Sequence, residues 1–283
     1  MKFKKYFNNF IKKKPSDMLL CVFTWLCAIL TFFILIFLIA HILQKGIPYI
    51  KPSLFALTYT TETVSLFPAL VTTLLMVVAS LLVAVPLGVF AAIYLVEYAK
   101  RGNRFVKLVR TTAETLSGIP SIIYGLFGWL FFVSWLKWGF SMLAGSFTLS
   151  IMILPLIMRT AEESLKSVSD SYREGAFGLG AGRLRTVFVI VLPAAAPGIL
   201  AGVILAIGRI VGETAALLYT AGSVPQIPHN PLASGRTLAI HMYALSSEGM
   251  YTGQAYATAV VLLVMVIGIN ALSSLLARKL AKS

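Results

Sequence analysis

Apolar runs dominate the pattern of this chain. Six stretches are free, or nearly free, of Asp, Glu, Lys and Arg: Met18 to Leu43, Phe67 to Val96, Thr115 to Leu136, Trp138 to Met158, a proline-broken run from about Thr186 to Ala221, and Gly249 to Ala277. A helix needs roughly 20 mostly apolar residues to cross the ~30 Å hydrocarbon layer. The pattern therefore predicts an all-α membrane protein with six transmembrane helices. Only Lys137 and the stretch Trp138-Gly139-Phe140 separate the third and fourth spans, which predicts a tight turn at headgroup level and a helical hairpin. The first span resembles a signal peptide in following a Lys-rich start, but its length exceeds the ~7–15 residues of a signal core, so it reads as a retained helix.

Composition agrees: of 283 residues, 58% are apolar and 12% charged, about half the charged share of a soluble domain. The net charge of +14 would make nucleic acid a candidate partner if the cations formed one patch. They do not. Six lysines precede the first span, and Lys100, Arg101, Arg104, Lys107 and Arg110 fill the connection after the second. Arg159, Lys166, Arg173, Arg183 and Arg185 follow the fourth, and Arg278, Lys279 and Lys282 close the chain. Against these 19 cations the alternate connections hold only Lys45, Lys51, Lys137 and Arg236. The positive-inside rule then places both termini in the cytoplasm, and membrane lipid, with no nucleic acid, is the expected surrounding. The organisation predicted is a basic arm (1–17), a first helix (18–43), a five-helix core (67–277) and a basic tail (278–283). Cys21 and Cys27 lie in the first span with no His, Asp or Glu nearby to complete a metal site.

Between the fourth and fifth spans lies a compact, glycine-rich connection. Ser171 and Glu174 have capping-box spacing and predict a helix start; Gly180 predicts its end. A second short helix is expected from about Arg183 to Leu192, broken by Pro193. Two short helices joined at a glycine make a rigid knob that can transmit force. Glu174-Gly175-Ala176, three residues, Gly180, nine residues, and then Ile190-Val191-Leu192-Pro193 resemble the E-A-A-x3-G-x9-I-x-L-P motif of ABC importer permeases, with Gly175 in place of the first Ala. The resemblance implies a type I importer fold in which this segment (167–192, with Tyr172, Glu174, Gly175, Ala176, Gly180, Leu192 and Pro193) docks on a cytoplasmic ATPase. No G-x-x-x-x-G-K-[ST] run is present, so ATP and Mg are expected on a partner and the chain itself is expected to be a transporter subunit, without cofactor or catalytic residues.

The fifth span carries Arg209 and Glu213, where an unpaired charge is costly. Their i, i+4 spacing predicts one helix face and either an internal ion pair or a polar path between two permease chains. Arginine suits a tetrahedral oxyanion through paired N–H donors. Glu213 suits a protonated one, since phosphate retains an O–H that sulfate lacks. Arg159 is either a second anion contact or a snorkelling interfacial cation. Gly118 to Gly125 is expected to kink the third span, as a gate or simply for helix packing. The long connection after the fifth span, with Pro225, Pro228 and Pro231 and a short helix expected over Thr237 to Ser246, either docks an external partner or caps the bundle.

Gly208-Arg209 through Thr214-Ala215, Gly118 through Gly125, Tyr256 to Ala259 and Asn270-Ala271-Leu272 are similar to the phosphate-specific ABC importer permeases of PstA type. That resemblance implies a bacterial inner-membrane subunit importing inorganic phosphate. Its implied partners are a homologous PstC-type permease, two copies of an ATP-binding subunit and an extracytoplasmic phosphate-binding protein. An ion-coupled secondary transporter, or a permease for another oxyanion, is the competing reading of the same charges. An intramembrane enzyme is disfavoured, because His41, His229 and His241 are scattered and none forms H-E-x-x-H.

Overall fold

The structure, a computed structural model, describes residues 15–100 and 102–280. The lysines up to Lys14, Arg101 and Lys282 lie outside the described residues. All regular elements among the described residues are helical: α1 (Pro15–Gly46), α2 (Phe67–Ile93), α3 (Arg104–Ser117), α4 (Ser121–Gly128), α5 (Met142–Ser167), α6 (Asp170–Gly178), α7 (Arg183–Thr186), α8 (Leu192–Val211), α9 (Ala215–Leu218), α10 (Leu238–Glu248) and α11 (Thr252–Leu280). Met18–Tyr49, Phe67–Tyr98, Met142–Ser167, Arg183–Val211 and Thr252–Leu275 are each long and apolar enough to cross a membrane. A sixth crossing requires α3 and α4 together, and these are bent by 102°.

The third expected span is therefore not one helix. Thr115 to Ser117 finish α3, whose outer face carries charge, and the chain turns at Gly118-Ile119-Pro120 before α4 begins. Pro120 lacks an N–H and disfavours helical geometry at Ile119. The Gly118 and Ile119 amides bond back to the Thr115 and Leu116 carbonyls at 3.2 and 3.1 Å, and the Tyr124 hydroxyl donates to the Leu116 carbonyl at 2.7 Å, closing the bend. Beyond Gly128 the helix widens into a π-helical stretch, Trp129–Trp135. The following turn uses positive φ at Lys137 (57°) and Gly139 (66°). Ser141 then accepts from the Ala144 amide, so α5 starts at Met142, later than the sequence pattern suggests.

α5 is the centre of the bundle. It packs against α2, α8, α3 and α4, and α11 covers α8 and α10. Met76, Leu149, Met152, Ile153, Ile157 and Leu217 form the heart of the main core. Within it the Ser80 hydroxyl donates to the Ser146 carbonyl and the Ser150 hydroxyl to the Ser80 carbonyl, at 3.2 and 3.1 Å, tying α2 to α5 through polar groups that lipid could not satisfy. α1 packs on α11 and leaves almost all of its apolar side chains exposed, as suits a helix facing lipid.

The fifth span differs twice from expectation. Pro193 does not end a short helix: a π-helical turn, Val187–Val191, lets the Leu192 amide reach the Val187 carbonyl five residues back, and the widened turn accommodates the proline at the start of α8. At the far end α8 stops at Val211 instead of running to Ala221, and a separate turn, α9, follows the break at Gly212. α9 lies against α4. A Cβ on Gly125 would sit 2.8 Å from the Ala216 Cα, so the two backbones meet at a position only glycine permits. Gly125→Val should therefore cost about 1–3 kcal/mol by overpacking. Thermal unfolding of the purified protein in detergent checks this, against Gly268→Ala, where no atom lies within 4 Å of the added carbon.

Candidate functional site

The connection after α5 forms the expected knob with a different cap. Ser169, not Ser171, accepts at the helix start, from the Ser171 amide at 3.4 Å. Asp170 in the first turn complements the helix dipole. At the other end Gly180 takes φ +80°, its amide bonds Phe177 O at 2.9 Å and the Ala181 amide bonds Ala176 O at 3.0 Å, a Schellman closure. Ala176 is buried; Tyr172, Glu174, Gly175, Gly180 and Pro193 are exposed and Leu192 is half-buried. Tyr172, Phe177, Leu184 and Leu179, the last 91% exposed, present an apolar surface that nothing among the described residues covers. A Cβ on Gly175 would meet no atom within 4 Å, so packing within this chain does not require a glycine there.

One side chain that the motif does not single out anchors the knob. Arg173 donates to Glu97 at the end of the α2 segment (2.7 and 3.1 Å), to Asp170 (3.1 Å), and to the carbonyls of Val168 (2.8 Å) and Leu165 (2.9 Å). The side chains of Arg173 and Glu97 are 13% and 8% exposed. Hydrogen bonding to Glu97 raises the Arg173 pKa above its ordinary value, so the guanidinium is firmly charged.

Above the knob a cavity of about 500 Å³ is lined by Arg110, Glu114, Arg159, Glu162, Lys166 and Arg209, among others. Its charged groups come from α3, α5 and α8. Glu162 is buried and takes Arg110 and Lys166 on one oxygen, each at 2.6 Å. Arg159 pairs with Glu163 at 3.1 Å, both well exposed. Arg209 has no carboxylate within 4.0 Å among the described residues. Its height follows from helix pairing: Gly198 sits opposite Ser164 and Gly202 opposite Thr160 on antiparallel helices, which brings Arg209 level with Ile153, near the midpoint of α5. The cavity thus runs from the basic end of the bundle to its middle.

The expected helical pair of Arg209 and Glu213 is not formed. The helix breaks at Gly212, and Glu213, 8% exposed, turns away to accept from the Ala216 amide at 3.0 Å, capping α9. Sequence spacing assumed a continuous helix; Gly212 was the available signal for the break.

At the opposite end the proline-rich connection folds back on the bundle. The carbonyls of Ala233 and Pro231 take the first free amides of α5, at Met142 and Leu143 (2.9 and 2.8 Å), and Arg236 donates to the Ser223 carbonyl at 2.9 Å. Thr237 caps α10, close to the expected short helix. His241 is buried in α10, edge-on to Tyr59 and 3.4 Å from Arg236.

Residues 84–282 match the family of binding-protein-dependent transport system inner membrane components, and the chain belongs to that family: it is a permease subunit of an ABC transporter. It is 34% identical to the phosphate transport system permease protein PstA of Haemophilus influenzae over 93% of this chain and 94% of that protein. With PstA of Pasteurella multocida it shares 33% over 93% and 95%. Its 36% identity to the probable ABC transporter permease YqgI of Bacillus subtilis spans 60% of this chain and 62% of that one. A permease chain of a bacterial alginate ABC transporter has the same fold at 17% identity, with a TM-score of 0.71 over 95% of this chain and 96% of that one. A chain of the MetNI methionine transporter, in inward-facing form, gives 0.59 over 76% and 94%. Family membership sets aside the ion-coupled secondary carrier and places ATP hydrolysis on a separate subunit.

Burial, with the nearby Arg236 charge adding to it, pushes the His241 pKa down to about 4. An unfolded histidine binds protons from about pH 6.5 downward while the folded one stays neutral, so the cap keeps its full stability above pH 6.5 and loses it as pH falls towards 4, by about 3 kcal/mol in all. The protection of the α10 amides, taken relative to their intrinsic exchange rate at each pH, should fall between pH 7 and pH 5, and His241→Phe should flatten that dependence.

Proposed function

We propose that this chain is the PstA-type permease subunit of an ATP-driven importer of inorganic phosphate, and lines half of its transmembrane pathway. The observation that carries the proposal is Arg209: a guanidinium level with the middle of α5, free of any carboxylate among the described residues, opening on a cavity that it shares with Arg159. An uncompensated charge at that depth is costly unless an anion visits it. Similarity to PstA proteins over nearly the whole chain supports phosphate as that anion. Arg209 receives the anion through paired N–H donors, and Arg159 hands it towards the basic end. Glu213 lies outside the lining of this cavity with one oxygen held by the Ala216 amide, so its part in the pathway is to fix the break after α8 that leaves Arg209 unpaired.

The remaining assembly follows from the same reading. A homologous PstC-type permease supplies the other half of the path, and an extracytoplasmic phosphate-binding protein delivers the ligand to the end capped by α10. Two copies of an ATP-binding subunit, carrying ATP and Mg, dock on the exposed knob at Tyr172, Glu174 and Leu179. The concentration of cations at the knob end supports a cytoplasmic location for that end and for both termini.

Phosphate uptake by the assembled importer in vesicles, driven by ATP and the loaded binding protein, tests this. Arg209→Lys keeps a charge but loses the planar fork, and uptake should fall about tenfold or more. Glu213→Ala, which leaves the Ala216 amide at the break without its acceptor, should also lower uptake. Wild-type flux in both variants would reject the assignment.

A further inference from the structure

We infer that Arg173 is a positioning residue for coupling: it pins the ATPase-facing knob to the ends of α2 and α5, and without it ATP hydrolysis no longer drives phosphate movement efficiently. The inference rests on the docking role proposed above for the knob.

The chain from Ser167 to Asp170 that joins α5 to α6 includes one extended residue, Val168, and by itself would let the knob swing. Arg173 removes that freedom with a single side chain. Two nitrogens grip Glu97, and the remaining donors reach Asp170 and two of the carbonyls at the α5 end, Leu165 and Val168. Those carbonyls are among the acceptors that a helix end leaves open, so the guanidinium also satisfies the C-terminus of α5. Glu97 belongs to the π-helical end of α2, an element otherwise tied to α6 by little beyond this contact. Displacement of the knob is thereby imposed on two helices at once, and one of them, α5, carries Arg159, Glu162 and Lys166 into the charged cavity. Lysine in place of arginine keeps the charge next to Glu97 but has one nitrogen, which cannot serve a carboxylate and two carbonyls in different directions.

The test uses the complete importer in vesicles and reads phosphate moved per ATP hydrolysed, together with co-purification of the ATPase. The variants are Arg173→Lys and the double variant Glu97→Gln with Arg173→Gln, which leaves no unpaired buried charge. Both should retain the ATPase and continue to hydrolyse ATP, while phosphate moved per ATP falls about tenfold in the double variant and less in Arg173→Lys. A ratio unchanged from the parent in both, whether or not the two rates fall together, overturns the inference. Loss of the ATPase from the complex in Arg173→Lys also overturns it, by assigning the residue to docking. Tyr172→Ala with Leu179→Ala separately tests the docking surface: full retention of the ATPase there would reject the knob's role without bearing on the stability of the Arg173 contacts.

Discussion

Hydrocarbon offers no partner to a charge or to a free peptide group, and this constraint governs every irregular point in the bundle. Each interruption of a helix is closed by a specific group. The bend before α4 is closed by the Tyr124 hydroxyl, the break after α8 by the Glu213 carboxylate, the start of α5 by carbonyls of the outer connection, and the end of α5 by Arg173. Two of these closures serve breaks in the chain and two serve the ends of α5, the helix that borders the cavity on which Arg209 opens. The breaks and the buried charge are parts of one arrangement.

Much of that arrangement is legible in the sequence where its cause is local. Apolar length alone marks α1, α2, α5 and α11, because each is a long helix whose environment is apolar. The short helix after Thr237 and the turn at Gly180 follow from capping chemistry. The errors have equally physical sources. The expected kink at Gly118 to Gly125 is present, but hydropathy is blind to direction and to a charged helix, so it gives neither the 102° angle nor α3, most of which lies in the basic connection. Pro193 is tolerated because a π-helical turn precedes it, and such a turn has no residue signature of its own. The spacing of Ser171 and Glu174 fits a capping box, yet Ser169 lies close enough to do the same work and does it. Arg209 and Glu213 share a face only if Gly212 stays helical.

The functional residues that escaped notice are those whose partners are distant along the chain. Arg173 and Glu97 are 76 residues apart, and Arg110 reaches Glu162 across the join of α3 and α5. Before the fold is known, Arg173 and Arg110 are two more cations in basic connections and count only towards topology. The one sequence hint lies on the acidic side. The chain has 10 acidic residues against 24 Lys and Arg, so each carboxylate at the basic end, Glu97 and Glu162 among them, is conspicuous. The side chains of both are 8% exposed and paired to arginine.

This economy of carboxylates explains how the basic end can serve both topology and mechanism. Cations that only orient the chain can remain solvated. Those within the fold need compensation, and Glu162 and Glu97 supply it to Arg110, Lys166 and Arg173. Two cations of the cavity fall outside that buried pairing. Arg159 has only an exposed partner, in Glu163, which solvent weakens. Arg209 has none among the described residues. Compensation is thus strongest where the structure must hold together and weakest along the line where an anion would travel. α5 joins the two regions, with Leu165 in its last turn and Val168 just past it held by Arg173, and Arg159 further along it facing the cavity. A movement of the knob therefore reaches Arg159 through a single continuous helix, and Arg209 through the packing of α8 on that helix.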